Sequence, residues 1–269
     1  ISFVVFLCYT VRMNILQFFL YPFIIIIANV IGAISGMGGG LIIKPLLSLL
    51  GFHSLPEIVF YSSVAVLVMA LSSTARQIKN GIKINARNVT FLSIGSVLGG
   101  MLGQRVLQFS FKIIGNENTG QLQAFLLIIL LSGVLLLGRL NIKFNKQLNT
   151  LYFLCGLSLG TVSVFLGIGG GPFNVALLLL IFPLKIKEAT TYSIVSILFS
   201  QVSNLVTTLI FSNVFAYDLN ILWVIIPAAF IGGNLGALLS GKLSDRSINR
   251  LFNIVVIMIM LITLIPALF

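Results

Sequence analysis

Two glycine-rich clusters lie inside long apolar stretches of the chain, and they are copies of one another. The first is Gly36-Met37-Gly38-Gly39-Gly40 and the second, 131 residues later, is Gly167-Ile168-Gly169-Gly170-Gly171. The same offset aligns further residues, among them Leu46 with Leu177, Glu57 with Glu188, Tyr61 with Tyr192 and Ser62 with Ser193. After a two-residue slip, Gly99 and Gly103 align with Gly232 and Gly236. Duplicated apolar halves, each with a helix broken by glycine at the same place, are typical of transporters built from repeats.

The composition excludes a soluble domain. Only 8% of the residues are charged, 58% are hydrophobic, and the mean hydropathy is +1.15, whereas soluble domains carry about 25% charged residues. Several apolar runs have about 20 residues, enough to cross a hydrocarbon core of roughly 30 Å. These runs are continuous, which favours helices over the alternating strands of a barrel. The sequence therefore predicts an all-α integral membrane protein that forms a single membrane domain over 1–269.

Ten apolar segments are predicted: 14–35, 41–52, 57–78, 88–111, 120–138, 149–166, 172–184, 188–212, 219–240 and 248–268. The second and the seventh have about a dozen residues, or roughly 18 Å of helix, which is short for crossing a membrane. Each of the two directly follows a glycine cluster, so each is predicted to be half of a broken or re-entrant pair of helices. The two repeats then occupy 14–138 and 149–268.

The basic residues predict how the segments are oriented. With this order of segments, one face of the membrane collects twelve of the 16 Lys and Arg residues: Arg76, Lys79, Lys83, Arg87, Arg139, Lys143, Lys146, Lys185, Lys187, Lys242, Arg246 and Arg250. By the positive-inside rule this face is cytoplasmic and both termini lie outside. Each repeat has five segments, an odd number, so the two repeats are predicted to have inverted topology. The net charge of +11 is explained by these loops, not by a nucleic-acid partner.

In an inverted repeat the two glycine clusters would enter from opposite sides and meet near the midplane of the membrane. The short helices that start near Leu41 and Pro172 would then present their N-termini, whose free N–H groups and partial positive charge favour an anion. Glycine suits such turns because it reaches positive φ and lets a ligand approach the backbone closely. The predicted anion-binding residues are Gly36, Gly38, Gly39, Gly40, Gly167, Gly169, Gly170 and Gly171.

The alternative is that glycines only permit close packing of helices, as small residues do in membranes. This interpretation is assigned to Gly99, Gly103, Gly232 and Gly236, whose spacing suits helix crossing.

The clusters and their flanking residues resemble the TauE/SafE family of sulfite and organosulfonate exporters. The residues that carry the resemblance are Gly36-x-Gly-Gly-Gly followed by Pro45, and Gly167-x-Gly-Gly-Gly followed by Glu188. The resemblance covers nearly the whole chain and implies movement of sulfite, sulfoacetate, thiosulfate or a related small anion across the bacterial inner membrane. Two departures from the family pattern are Lys44, where an aliphatic residue is usual, and Ala176, which stands where a proline would match Pro45.

Lys44 lies one turn from the first glycine cluster. A lysine at membrane depth is costly and by default functional, and its ammonium group would pair well with a sulfonate. The alternative is that Lys44 extends to an interface. Other candidate substrate-binding residues are Asn174, Ser62, Ser193, Ser196, Gln201 and Asn204. Ser193, Ser196 and Asn204 share one helical face, which either lines a cavity or bonds to a neighbouring helix.

Three charged or titratable residues are assigned structural roles. Glu57 and Glu188 stand at the start of their helices, where a carboxylate complements the helix dipole. His53 lies in a short turn outside the apolar segments and is expected to be solvated.

No constellation of catalytic residues is present: the chain has one His, no clustered carboxylates and no phosphate-binding loop in a suitable context. We therefore expect no enzyme activity, no cofactor and no metal. The prediction is a secondary transporter that exports a small sulfur-containing anion, with the lipid bilayer as its other partner and homo-oligomerisation left open. Two alternatives remain at this point, an anion channel on the same scaffold and a membrane assembly protein that binds a partner.

Overall fold

The computed structural model describes residues 15–80, 85–137 and 148–268, and in these ranges the chain forms helices without strands. The α-helices are α1 Ile15–Ser35, α2 Gly40–Leu50, α3 Leu55–Lys79, α4 Ala86–Leu137, α5 Asn149–Phe165, α6 Pro172–Ile181, α7 Ile186–Phe211, α8 Leu222–Lys242 and α9 Asp245–Leu268. Two short 3-10 turns, Val214–Ala216 and Leu219–Ile221, connect α7 to α8.

Each of the ten predicted segments falls on a helix, and one boundary differs from the prediction. The segments 88–111 and 120–138 belong to the single long helix α4, whose backbone leaves helical geometry only at Gly115 (φ 79°, ψ 173°). We call 86–114 the first arm of α4 and 116–137 its second arm. Four of the twelve basic residues used to predict orientation, Lys83, Arg139, Lys143 and Lys146, lie outside the described residues.

Six helices of the described ranges are long and apolar enough to cross a membrane: α1, α3, α4, α7, α8 and α9. Helices α2, α5 and α6 are apolar but shorter. The large apolar side chains on the surface are those expected of a lipid-facing protein, with Phe19 70% and Trp223 77% exposed. Several polar side chains lie inside instead, and Asn29, Ser62 and Gln201 are fully buried. The chain is thus an all-helical membrane protein with a partly polar interior.

Close helix packing in both halves depends on glycine. Helix α1 packs against α8, and α4 packs against α5. A Cβ atom on Gly99 would collide with the carbonyl oxygen of Leu157 in α5, and one on Gly232 would lie 2.8 Å from the carbonyl oxygen of Ile26 in α1. The packing role predicted for these glycines is confirmed.

Both predicted carboxylate caps form. The backbone N–H of Ser54 donates to Glu57 Oε2 at 2.8 Å, at the start of α3. The backbone N–H of Lys185 donates to Glu188 Oε2 at 3.0 Å, at the start of α7. These bonds satisfy backbone donors that the first turn of a helix otherwise leaves free.

Candidate functional site

Two short helices begin at the glycine clusters, as the sequence predicts. Helix α2 has 11 residues and its N-cap residue is Gly39, while α6 has 10 residues and its N-cap residue is Gly171. Neither N-terminus is capped by a side-chain hydrogen bond. Pro172 occupies the first turn of α6, where its missing N–H costs no helical bond.

The two clusters lie against each other in the interior. A Cβ atom on Gly38 would lie 3.6 Å from both the carbonyl oxygen of Gly169 and the Cα of Gly170, and one on Gly170 would lie 2.9 Å from the carbonyl oxygen of Met37. Residues of both clusters are buried. The uncapped starts of α2 and α6 therefore belong to one buried region, although the clusters are 131 residues apart.

Glycine is required in the clusters for two different reasons. The backbone φ angles of Gly36 and Gly38 are 74° and 79°, and those of Gly167 and Gly169 are 66° and 65°, a region that side chains disfavour. Gly39, by contrast, has an ordinary φ of −71°. The Asn29 side chain occupies the place that a Cβ atom on Gly39 would take, so this glycine is needed for space.

Contacts between the halves come in reciprocal pairs. A Cβ atom on Gly36 would lie 2.6 Å from the Thr190 Cα, and one on Gly167 would lie 2.7 Å from the Val59 Cγ2. Gly167 is the residue equivalent to Gly36 under the offset of 131, and Thr190 is the residue equivalent to Val59. The first half therefore contacts the second as the second contacts the first, which is how a two-fold relation between equivalent units is recognised.

A second reciprocal pair lies at the centre of the clusters. A Cβ atom on Gly38 would contact Ile197 Cδ1 at 3.4 Å, and one on Gly169 would contact Val66 Cγ1 at 2.9 Å. Under the offset of 131, Gly38 is equivalent to Gly169 and Val66 to Ile197, so each contact is the repeat equivalent of the other. Gly38 and Gly169, which are equivalents under this offset, therefore also lie next to each other.

A third reciprocal pair lies away from the clusters and joins tyrosines to turns. The Tyr61 hydroxyl donates to the carbonyl oxygen of Asp218 at 3.0 Å, and the backbone N–H of Asn85 donates to the Tyr192 hydroxyl at 3.1 Å. Asn85 and Asp218 differ by 133, the offset that applies after the slip in the repeat. The relation between the halves thus extends beyond the glycine clusters.

Three buried polar side chains beside the clusters have no hydrogen-bond partner for at least one group within the described ranges. These groups are the Asn29 amide, the Ser62 hydroxyl and the Asn174 Nδ2, and each residue is 0–1% exposed. Asn29 touches Gly39, and Ser62 Oγ would lie 2.8 Å from a Cβ atom on Gly40. A buried polar group normally finds a partner, so these donors are available to a ligand.

Asn29 was missed in the sequence, and the available signal was a polar side chain inside the apolar segment 14–35. Ser62 and Asn174 were predicted as site residues, and the structure brings both to the region of the clusters.

Lys44 turns into the protein. Its Nζ donates to Gln123 Oε1 and to the carbonyl oxygen of Leu166, both at 2.6 Å. It would also lie 3.5 Å from a Cβ atom on Gly167. The ammonium group therefore sits beside the second cluster and is bonded to oxygens of the protein. In the described ranges no carboxylate pairs with it, so its charge is balanced only by neutral oxygens.

The predicted polar face of α7 bonds to neighbouring elements. Ser193 Oγ donates to the carbonyl oxygen of Gly36 at 2.6 Å, and Ser196 Oγ shares a 2.7 Å hydrogen bond with Ser96 Oγ in α4. Asn204 Nδ2 donates to Ser63 Oγ at 3.0 Å and to Gln201 Oε1 at 3.1 Å. Ser196 bonds to a neighbouring helix, while Asn204 makes such a bond and also lines a cleft. Gln201 Nε2 has no partner in the described ranges.

The prediction for His53 was wrong. Its ring lies between those of Tyr21 and Tyr61, with centroid distances of 5.9 and 5.2 Å. Burial lowers the pKa of His53, and the nearby carboxylates of Glu57 and Asp218 oppose the shift. The turn between α2 and α3 folds back onto α1 and α3, and a local pattern does not reveal such a contact.

Comparisons with known proteins show which family the chain belongs to. The family model described as sulfite exporter TauE/SafE matches residues 21–263. A probable membrane transporter protein, YunE of Bacillus subtilis (strain 168), is 28% identical to the chain over 262 residues, covering 87% of this chain and 92% of that protein. No solved structure matches the chain. The match to the family model extends from α1 to α9 and includes both glycine clusters, so this chain belongs to the sulfite exporter TauE/SafE family of membrane transporters.

Proposed function

We propose that the protein exports a small sulfur-containing anion, such as sulfite, sulfoacetate, thiosulfate or a related organosulfonate, which binds between the two glycine clusters. One observation carries the proposal: two uncapped helix N-termini adjoin one buried region beside unpartnered donors of Asn29, Ser62 and Asn174. Helix N-termini and neutral donors bind an anion without a fixed counter-charge. The Lys44 ammonium group, next to the second cluster, adds a positive charge to the same region.

We propose further that the repeats 14–138 and 149–268 are inverted in the membrane and that both termini lie outside. The three reciprocal pairs of contacts support a two-fold relation between the repeats. Together with five segments per repeat, they favour an axis in the membrane plane. The clusters would then face opposite sides of the membrane.

The charge of the proposed substrate and the positions of the acidic residues support export as the direction of transport. An anion that leaves an inside-negative cell gains about 2.3 kcal/mol per charge per 100 mV. The five acidic residues of the chain, Glu57, Glu117, Glu188, Asp218 and Asp245, lie in turns or near helix starts, apart from the clusters. Export can therefore proceed without a cation bound at a carboxylate within the membrane.

Two other functions make different predictions. An anion channel would use the same clusters but would pass anions without saturation or exchange. A protein that only binds a partner in the membrane would need no polar groups between the clusters, and the buried Asn29, Ser62 and Asn174 side chains disfavour it.

Transport by the purified protein in liposomes tests the proposal. Vesicles are loaded with sulfite, sulfoacetate, thiosulfate or sulfate, and the efflux of each anion is compared with that from empty liposomes. We expect saturable flux of at least one sulfur anion, and counterflow in which external anion accelerates the exit of labelled internal anion. Linear flux without counterflow would indicate the channel, and the absence of flux for all four anions would contradict the proposed substrate class.

A further inference from the structure

A narrow cleft opens between α3, the first arm of α4 and α7, and Tyr217 of the following turn forms part of its wall. Its polar lining consists of Ser63, Gln104, Gln108, Asn204 and Thr208. Pro56 at the start of α3 and Phe111 near the end of the first arm also line it, so the cleft lies toward the ends of these helices. We call this end of the molecule the Tyr217 face.

Gln104 is the lining residue whose side chain is not used by the fold. It is 3% exposed, and its Oε1 has no partner within the described ranges. The other deep polar residues are engaged: Ser63 Oγ donates to the carbonyl oxygen of Val59, and Thr208 Oγ1 donates to that of Asn204. Gln108 Nε2 donates to Ser212 Oγ. The cleft therefore contains one buried amide that is free to contact a passing solute.

Val59 lies between the cleft and the second glycine cluster. Its side chain lines the cleft, and its Cγ2 would lie 2.7 Å from a Cβ atom on Gly167. Val59 therefore contacts both the cleft and the second cluster.

The reciprocal barrier on the other side of the clusters is Thr190, which packs on Gly36. The two barriers differ in their hydrogen bonds. On the Thr190 side, Ser193 Oγ donates to the carbonyl oxygen of Gly36 at 2.6 Å and ties α7 to the first cluster. Its equivalent on the Val59 side is Ser62, whose hydroxyl has no partner in the described part of the chain. Movement of Val59 away from Gly167 thus breaks no hydrogen bond equivalent to that of Ser193.

We propose that the cleft is the chamber through which the anion passes between the glycine clusters and the Tyr217 face, that the Gln104 amide contacts it there, and that the Val59 side chain is the gate. The nature of the solute rests on the proposed function, while the path and the gate rest on the contacts of Val59 and Ser62. No carboxylate lines the cleft, and the Gln104 side chain carries an NH₂ donor group beside the Oε1 that has no partner within the described ranges.

The gate is tested with a cysteine reporter behind it. In a chain without native thiols (Cys8→Ser, Cys155→Ala), Ser62→Cys is treated with a membrane-impermeant thiol reagent from either side of the membrane. With Val59 present we expect slow labelling. Adding Val59→Ala should accelerate labelling roughly tenfold, a factor that corresponds to about 1.4 kcal/mol, and only from the Tyr217 side.

Thr190→Ala is the matched control, since it trims the reciprocal barrier and leaves Val59 in place. It should not accelerate labelling of Ser62→Cys from the Tyr217 side. Equal acceleration by both substitutions would mean that each of them loosens the packing of the whole protein, and it would contradict the role of Val59 as the gate. An unchanged labelling rate in Val59→Ala would contradict that role as well. Each variant is first checked for a single symmetric peak in size-exclusion chromatography.

The role of Gln104 is tested with a reporter inside the chamber. In the same background, Thr208→Cys is treated with an anionic and a cationic methanethiosulfonate, and the ratio of the two rates is compared with that of a free thiol. We expect this ratio to favour the anionic reagent by about threefold, or roughly 0.65 kcal/mol, and Gln104→Leu to remove the preference. Gln108→Leu, in the same cleft, should leave it in place. A ratio that Gln104→Leu does not change would overturn the contact.

Both labelling experiments work without a transported anion, so their outcome is separate from that of the liposome assay. If none of the four anions moves but the labelling pattern holds, the proposed substrate is wrong and the path stands. If an anion moves but Val59→Ala does not change labelling, the substrate class stands and the path lies elsewhere.

Discussion

At the level of single residues, the interior contains polar groups of two kinds. Ser193 and Ser196 complete hydrogen bonds of the fold, whereas Ser62, Asn29 and Asn174 keep groups without partners in the described ranges. A buried polar group without a partner costs about 1–3 kcal/mol. Such a cost at three neighbouring positions is expected where the groups serve a ligand.

The effect of the Lys44 charge on anion binding can be distinguished from the effect of its hydrogen bonds on stability. Lys44→Met removes the ammonium group and should weaken binding of the transported anion by about 1.5–3 kcal/mol, the range for hydrogen bonds to charged groups. Lys44→Arg should restore only part of the affinity, since a planar guanidinium does not replace a compact ammonium group in a shaped site. The measurement is equilibrium binding to purified protein.

Gln123→Leu is the matched control for Lys44→Met. It removes one of the two hydrogen-bond partners of Nζ but leaves the charge beside the second cluster. It should lower the thermal midpoint while anion affinity stays near that of the wild type. Loss of affinity in Gln123→Leu with unchanged affinity in Lys44→Met would show that the lysine only holds the fold together.

At the level of helices, the close crossing of α4 and α5 makes a prediction about stability. Gly99→Ala would push a Cβ atom into the carbonyl oxygen of Leu157 and should destabilise the protein by about 1–3 kcal/mol, as overpacking does. Gly133→Ala in the second arm of α4 is the control, because no atom lies within 4 Å of the added Cβ. At this position alanine has a higher helix propensity than glycine, so the substitution should stabilise the protein by up to about 1 kcal/mol. Thermal unfolding in detergent measures both, and equal effects would contradict the packing role.

The helices and their caps were predictable from sequence because their signals are local. Apolar runs predicted the segments, and carboxylates in the first turn of a helix predicted the caps of Glu57 and Glu188. The partners of buried polar groups were not predictable, since they come from distant parts of the chain. Gln123 is 79 residues from Lys44, and Ser96 is 100 residues from Ser196. The position of His53 between two tyrosines was not predicted from the sequence for the same reason.

For the whole molecule, the proposed inverted arrangement predicts which loops share a side of the membrane. Reporter fusions after Lys83 and after Lys143 should both report the cytoplasm, because two segments separate them and the basic loops remain inside. A fusion after Asp218 should report the outside. Fusions that place Lys83 and Lys143 on opposite sides would contradict the inverted repeat.

The proposed anion site between the two halves is tested most directly by titrating the purified protein with the anion that gives the highest flux. Ser62→Ala changes the first half and Asn174→Ala the second, and Ser63→Ala is the control, because the Ser63 hydroxyl is bonded within the fold. We expect one anion per chain, and an affinity that each of the two site variants weakens by about 1.5–3 kcal/mol while Ser63→Ala leaves it nearly unchanged. A site of full affinity that survives in Ser62→Ala or in Asn174→Ala would show that the two clusters do not hold one anion between them.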